Sequence, residues 1–234
     1  MLKIENVVLP SAEQWVAIIR GMRNPKNSWD RSDSEWMFES TNDMSGGYIN
    51  MGPNDLKLMN QLASGGPVHA KYRRMIPVYL DITAPLYWWK EFDTYKIGTV
   101  ANSCSTMHKI HEKEFTLADF SHERLRPRAL QKLESTIEEL NYWRDIYNNG
   151  GMDDNYDGTA RVYEPNDKDA WHQMIQLLPS SYNQKRTVML NYEVLVGIYK
   201  WRRNHKLDCW HTLCDFIETL PYAELITGER ENVD

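Results

Sequence analysis

Apolar side chains recur every three or four positions after Ser11, so Trp15, Ile18, Ile19 and Met22 share one helical face. Ser11, with Gln14 three residues on, has the form of a capping box. Residues 23–53 then lose this periodicity: Asn, Ser, Asp, Gly and Pro dominate, with Trp29, Trp36 and Tyr48 interspersed, which predicts a long irregular loop. A second helix runs from Asp55 to Ala63 and stops at Ser64-Gly65-Gly66-Pro67. From Arg74 to Thr83 the period changes to two, with Ile76, Val78, Leu80 and Ile82 facing one way and Met75, Pro77, Tyr79 and Asp81 the other. That is a half-buried strand, and Pro77 predicts that it lies at an edge or carries a bulge.

After Pro85 a helix is predicted through Tyr87, Trp88, Lys90, Glu91 and Tyr95 to Lys96, followed by a small polar run from Gly98 to Thr106. The longest helical pattern, Ala129 to Tyr147, carries Leu130, Leu133, Ile137, Leu140 and Tyr147 on one stripe. It ends in Asn148-Asn149-Gly150-Gly151, and residues 148–166 read as a second irregular loop. A helix from near Asp167 ends before Pro179, and another is predicted from Arg186 to Arg203 with Leu190, Val194, Ile198 and Trp201. The last starts near Leu207 and leads through Trp210, Cys214 and Ile217 to Pro221, after which Gly228 opens a polar tail. Many helices around few strands predict an α/β or α+β fold in a single domain, 1–234.

Thirty-three acids against 27 bases give a formal net charge of −6. A duplex nucleic-acid binder needs clustered Lys and Arg that outnumber local acids, so that class is set aside. No window approaches the roughly 18 apolar residues of a membrane-spanning helix. Residues 1–20 hold Glu5, Glu13 and Gln14 where a signal peptide would carry an apolar core. The expectation is a soluble, cytoplasmic protein with no membrane partner. Cys104, Cys209 and Cys214 are odd in number and scattered, which favours reduced thiols over a disulfide framework. Nine Trp and thirteen Tyr stand against only five Phe. Indole N–H and phenol O–H groups want partners even when their rings are buried, so this balance fits half-polar clefts and interfaces; an aromatic-rich core explains it equally well.

The calcium-loop pattern D-x-[DN]-x-[DN]-G-x5-E is met by Asp153, Asn155, Asp157, Gly158 and Glu164. Its surroundings argue against calcium: Asn148 to Gly151 break the entering helix, Pro165 interrupts the exit, and Ala160 holds the apolar pairing position. A solvated acidic turn is expected instead. His108 and His111 with Glu112, and His205 with Cys209, could each face a metal from one helix, but neither pair has further ligands at matching spacing. No metal is expected. The chain has no G-x-S-x-G, P-loop or G-x-G-x-x-G, which removes the usual nucleotide-binding folds without removing nucleotide chemistry.

Two segments in chain order resemble the flavin-dependent thymidylate synthases, the ThyX family. In LLPSSYNQKRTVMLNYEVLVGIYKWRR, Leu178-Pro179 is followed after eleven residues by Asn191 and after ten more by Arg202. This is similar to the family's C-terminal signature, in which a Leu-Pro before a helix precedes an Asn and a substrate-binding Arg. Asp208-Cys209-Trp210 resembles the start of the family's last helix. Upstream, the family has a strand ending in Ala-Pro, a helix, and a motif of the form RHRxxSxNExSxRY. Here Ala84-Pro85 ends the strand, Leu86 to Asp93 follows, and Thr94 to Met107 fill the motif's slot. The departures are substantial. Lys96 alone keeps the charge of the first arginine pair, Tyr95 stands for the His, Thr99 for the first Ser, Asn102 for the Glu and Cys104 for the second Ser. The late arginine falls on Thr106, and Glu193 stands where the helix after Asn191 normally offers another Arg. Each lost charge-assisted bond would weaken a dianion site by about 1.5–3 kcal/mol unless replaced.

Replacement cations are available. His69, Lys71, Arg73 and Arg74 precede the strand, and Lys185 and Arg186 open the helix predicted after Pro179, where N-terminal N–H groups would help hold an anion. Either run reads equally as a solvated charged face. Lys90, Glu91, Asp93, Tyr95 and Lys96 interleave with Trp88, Trp89 and Phe92, and such rings beside cations can stack on a flavin or a base.

The resemblance implies a ThyX-like domain with a small, mainly antiparallel sheet surrounded by several helices. It implies a homotetramer that carries FAD and uses NADPH and methylenetetrahydrofolate to methylate a pyrimidine nucleotide of the dUMP type at C5. Catalytic roles fall to Arg202 and Lys96, and cofactor contacts to Tyr95, Lys96, Thr99, Asn102 and Asn191. Substrate contacts fall to Glu91, Ser103, Cys104, Ser105, Lys185, Arg186 and Arg202. The alternative is a protein of the same fold that binds a nucleotide or a partner without catalysis. Arg202 lies eleven positions after Asn191, so one helix would carry both on one face about 16 Å apart. Arg203 beside it points away and is expected to be solvated.

Overall fold

The computed structural model describes residues 2–41, 44–154 and 158–228. Strand β1 (Lys3–Val8) leads into helix α1 (Ala12–Arg23). Two short 3-10 turns, Asn24–Lys26 and Trp29–Arg31, precede β2 (Glu35–Thr41) and β3 (Met44–Asn50). Helix α2 (Pro53–Ser64), a 3-10 turn (Lys71–Met75), β4 (Pro77–Pro85) and α3 (Leu86–Phe92) follow. Next come β5 (Val100–Ser103), the single turn α4 (Thr106–Lys109), and the long α5 (Pro127–Asn149). The chain continues through β6 (Gly151–Asp154), β7 (Ala160–Tyr163), α6 (Lys168–Leu177) and β8 (Asn183–Asn191). It closes with α7 (Tyr192–Arg202), α8 (Asp208–Glu218) and α9 (Glu224–Thr227). This is the α+β class read from the sequence, with a four-stranded sheet in the order β1-β4-β8-β5 and two further two-stranded sheets. No described helix is long and apolar enough to cross a membrane.

Contacts divide the chain into two compact units. The first comprises residues 83–92 and 103–186. Its core is built where α5 meets α6, from Leu133, Ile137, Leu140, Trp143 and Ile146 of α5 with Ala170 and Met174 of α6. Pro127 opens α5, where its missing N–H costs nothing, and Gly150 with φ +75° ends it. The second unit comprises residues 2–82, 93–102 and those from 187 on. Here Ser11 and Gln14 form the expected capping box, and Ile76, Val78, Leu80 and Ile82 are buried as their alternation predicts.

Several expectations are corrected. The stretch 23–53 is not an irregular loop throughout: β2 and β3 pair antiparallel, Glu35 opposite Asn50 and Trp36 opposite Ile49. Gly47 makes room for the Trp36 indole, which a Cβ there would overlap. Residues 148–166 likewise contain the β6–β7 hairpin, Met152 opposite Val162, so Asp153 and Asp154 belong to a strand rather than an acidic turn. Asn155 and Asp157 of the calcium pattern lie outside the described residues. Pro77 does not mark an edge. Strand β4 lies between β1 and β8, and the ring is tolerated because it occupies the first position of the strand. The helix after Pro85 ends at Phe92, short of Lys96. The helix predicted from Arg186 begins only at Tyr192, because Gln184, Val188 and Leu190 are buried with a period of two in strand β8.

One buried network of the second unit ties the turns after α1 to α2. Arg23 and Asp55 form an ion pair at 2.5 Å, exposed by only 3% and 0%. The Asp55 Oδ2 atom also accepts from the hydroxyls of Ser32 and Ser34, each at 2.7 Å, and from the backbone N–H groups of Asp33 and Ser34. Burial alone would raise the Asp55 pKa; the bonds from Ser32, Ser34 and Arg23 outweigh it and hold the carboxyl below its usual range. Gly52 N donates to Ser34 Oγ at 2.9 Å, and a Cβ on Gly52 would overlap Asp33.

Candidate functional site

The candidate residues fall in both units, and each group stands within its own. In the second unit they gather at the two ends of α7. At its N-terminus Asn191 is the cap: its side chain accepts from Val194 N at 3.1 Å. Gly98, at φ +78°, approaches this amide so closely that a Cβ would lie 2.9 Å from Asn191 Nδ2 and 3.1 Å from Val194 Cγ2. The polar run thus rests its backbone on the α7 cap, which only glycine permits. Thr99, next in the chain, keeps its Oγ1 buried with no hydrogen-bond partner. Glu193 in the first turn of α7 faces Arg73 at 3.7 Å, and Arg73 Nε and Glu193 Oε2 are both buried without a hydrogen bond.

At the other end of α7, Arg202 Nε donates to the Tyr95 hydroxyl at 2.9 Å. The guanidinium lies 4.6 Å from the centre of the Trp210 ring and 5.6 Å from that of Tyr95, and the two rings meet edge to face at 6.0 Å. Cation–π contact and a hydrogen bond together fix an arginine that would otherwise sample many rotamers. Asn191, extended at the end of β8, caps α7 and Arg202 is its last residue, so roughly 16 Å of helix rise lies between them. A three-residue step from Tyr95 to Gly98 covers roughly 10 Å of extended chain, and the Arg202 and Tyr95 side chains supply the rest. Arg203 lies at the surface as expected, where it pairs with Asp215 and, at 3.3 Å, with Glu218. Lys96 and Asn102 are exposed, the latter on β5.

In the first unit the candidates gather around Gln184. The Trp89 indole N–H donates to Gln184 O at 2.9 Å, and the Arg186 guanidinium stacks over the Trp89 ring at 4.2 Å. Arg186 Nε donates to Gln184 Oε1 at 3.0 Å, and Gln184 Nε2 donates to Cys104 O at 2.9 Å. Cys104 N in turn donates to Lys185 O at 2.9 Å. Arg186, Lys185 and Cys104 are therefore brought together, but on a strand; the helix N-terminus expected beneath Lys185 and Arg186 is absent because β8 continues to Asn191. Ser105 is the cap of α4, accepting from His108 N at 3.0 Å, and Ser103 ends β5. Glu91 is half-buried on α3.

Sequence reasoning offered Trp89 only as a ring to stack on a flavin or a base and gave no role to Gln184 and Trp210, although each organises a candidate residue. The signal lay in the residue types, since a buried indole or amide seeks a partner, but the partners are remote in sequence. Of the three thiols, Cys104 is exposed while Cys209 and Cys214 are buried, and burial pushes the Cys214 thiol up to about 11, which keeps it inert. Among the described residues no group of three or more His, Cys, Asp or Glu is placed to share a metal ion.

No protein-family model matches the chain, and no curated protein matches it in sequence. Solved structures match it in shape. The flavin-dependent thymidylate synthase ThyX of Helicobacter pylori, complexed with FAD and dUMP, superposes with a TM-score of 0.59 over 97% of this chain and 97% of that one, at 13% identity. The UMP/dUMP methylase PolB of Streptomyces cacaoi, bound with 5-Br dUMP, gives 0.60 over 94% and 89%, again at 13% identity. The fold is ThyX-like.

Proposed function

We propose that this chain is a ThyX-like flavoprotein, acting as one domain in a cytoplasmic homotetramer, that binds a pyrimidine nucleotide of the UMP or dUMP type and methylates it at C5. The observation that carries this reading is Arg202. An arginine pinned by Tyr95 and Trp210 at the end of α7 presents a rigid cation, at the position where the ThyX resemblance expects the substrate-binding arginine. Arg186, stacked on Trp89 in the first unit, is a second immobilised cation. The exposed Ile97 and Trp201 of the second unit support an assembly of several copies.

The residues around Gly98 fit a flavin. A glycine backbone in close approach and a buried threonine hydroxyl without a partner are what a loop that receives a polar cofactor offers. Tyr95, Lys96, Thr99, Asn102 and Asn191 would hold FAD, with NADPH and methylenetetrahydrofolate as co-substrates. When bound, the flavin would supply hydride transfer. The chain's own part is, in the first unit, to present Lys185 and Arg186 and to keep the Ser103–Ser105 run in place through the bonds of Cys104, and, in the second, to present positive charge from Arg202 and Lys96. Such charge stabilises the anion that develops on the ring as C5 becomes nucleophilic.

Three readouts on purified protein test this: the flavin spectrum that accompanies it, calorimetric binding of dUMP and UMP, and solvent deuterium exchange at C5 of the nucleotide. Arg202→Ala should weaken nucleotide binding by about 2 kcal/mol, roughly thirtyfold, whereas Arg203→Ala, whose partners are Asp215 and Glu218, should leave it unchanged. Equal small effects from both would reduce Arg202 to a helix-end cation. Binding without exchange at C5 would support the non-catalytic alternative, consistent with Asn102 and Thr106 standing where the motif has Glu and Arg.

A further inference from the structure

Within the second unit, α1, the Trp29–Arg31 turn and β3 enclose a cavity of about 250 Å³ that none of the roles above uses. Its walls are apolar: Val16 and Ile19 from α1, Ile49 from β3, and the ring of Trp29. Val16 and Trp29 are 40% and 50% exposed, so the cavity opens to solvent. The ring is held in place because Trp29 Nε1 donates to Asn24 Oδ1 at 2.8 Å. A half-exposed tryptophan fixed by its own N–H is a ready platform for a second ring.

The polar groups that line the cavity settle the chemistry by elimination. Arg23 donates from all three of its nitrogens, to Asp55, to Ser28 and to the Arg31 carbonyl. The hydroxyls of Ser32 and Ser34 donate to Asp55. What remains is Arg20, one turn before Arg23 on α1, whose guanidinium has no partner among the described residues. A cavity with apolar walls and one uncommitted guanidinium matches a ligand with an apolar body and one anionic group. An apolar cavity of about 150 Å³ takes up benzene, so this one accommodates a single ring with a short acidic arm. A nucleotide, with its sugar hydroxyls and phosphate, is too polar for these walls.

We infer that this cavity is a binding site for small aromatic carboxylates, the ring packed on Trp29, Ile19 and Ile49 and the carboxylate forked on Arg20. None of these side chains belongs to the arginine clusters of the preceding section, so this site and the nucleotide reading stand or fall separately.

Phenylacetate is the probe, titrated into full-length protein labelled at its indole nitrogens, with the Trp29 N–H resonance assigned by its loss in Trp29→Phe. A saturable shift of that resonance in the millimolar range is expected, with the neutral isostere phenylacetamide bound about tenfold more weakly or worse, the loss of one charge-assisted pair. Arg20 is exposed, so Arg20→Gln should retain the remaining resonances and lose the preference for the acid. No shift at Trp29, equal affinity for acid and amide, or a preference that survives Arg20→Gln would each overturn the assignment.

Discussion

Two ion pairs of the second unit, one buried and one only partly so, differ in how their atoms are satisfied. Arg23 and Asp55 meet at 2.5 Å, and every nitrogen of the arginine, with both oxygens of the carboxylate, has a partner. Arg73 and Glu193 stay at 3.7 Å, leaving Nε of one and Oε2 of the other buried and unbonded. A satisfied buried pair is architecture: breaking it strands a charge, and nothing else can enter it. An unsatisfied pair holds polar capacity in reserve, and this one sits in the first turn of α7, two residues from the Asn191 cap that Gly98 abuts. Burial of charge therefore says less about role than the completeness of its hydrogen bonding.

The largest effect expected from this contrast is on Asp55→Ala, which leaves Arg23 buried and alone and should cost about 3–5 kcal/mol in urea unfolding. Gly52→Ala attacks the same network from outside, driving a Cβ into Asp33, and should cost about 2–3 kcal/mol with no change in nucleotide binding. Glu193→Ala removes an ion partner that makes no hydrogen bond and should cost only about 1–2 kcal/mol. If it matches Asp55→Ala in the same assay, the completeness of hydrogen bonding does not set the cost of losing a charge. The smallest effect is on pH. The Asp55 carboxyl is held below its unfolded value near 3.9, so its contribution is complete above that value and is lost as pH falls through the lower folded one. Wild-type stability should therefore fall more steeply below about pH 4 than that of Asp55→Asn; parallel profiles would show the network to be indifferent to the charge.

What the chain discloses locally, it discloses well. The alternation from Ile76 to Ile82, the Ser11–Gln14 box and the stripe of α5 are each decided within a few residues, and each is realised. Strand β8 was hidden because Leu190, Val194, Ile198 and Trp201 mimic a helical stripe, while Val188 and Leu190 also alternate; sheet pairing beside β4 breaks the tie, and that is a tertiary effect. The β2–β3 hairpin was hidden because Trp36, Met37 and Tyr48 are exposed and Ile49 alone among its described side chains is buried, which is too little to impose a period. The site divides in the same way. Spacing pointed to Asn191 and Arg202, but the bond from Arg202 to Tyr95 joins residues 107 apart, and the stacking of Arg186 on Trp89 spans nearly as far. No local pattern encodes such a meeting.

The hydrogen bond from Gly52 to Ser34 has a consequence for how this chain can be rebuilt. It brings the backbone back to within one side chain of the point where it left, with Glu35 and Asn50 paired just beyond. Residues 35–51 are thus an excursion with a common entrance and exit, anchored on the frame that Asp55 organises. Closing a loop costs only slowly more as it lengthens, so beyond Ile49, which packs against α1, the frame makes little demand on what is hung from it. In modular terms Ser34 and Gly52 are a socket: the hairpin could be trimmed to a tight turn, or exchanged for another small folded element, while the neighbouring cage keeps the ends in register.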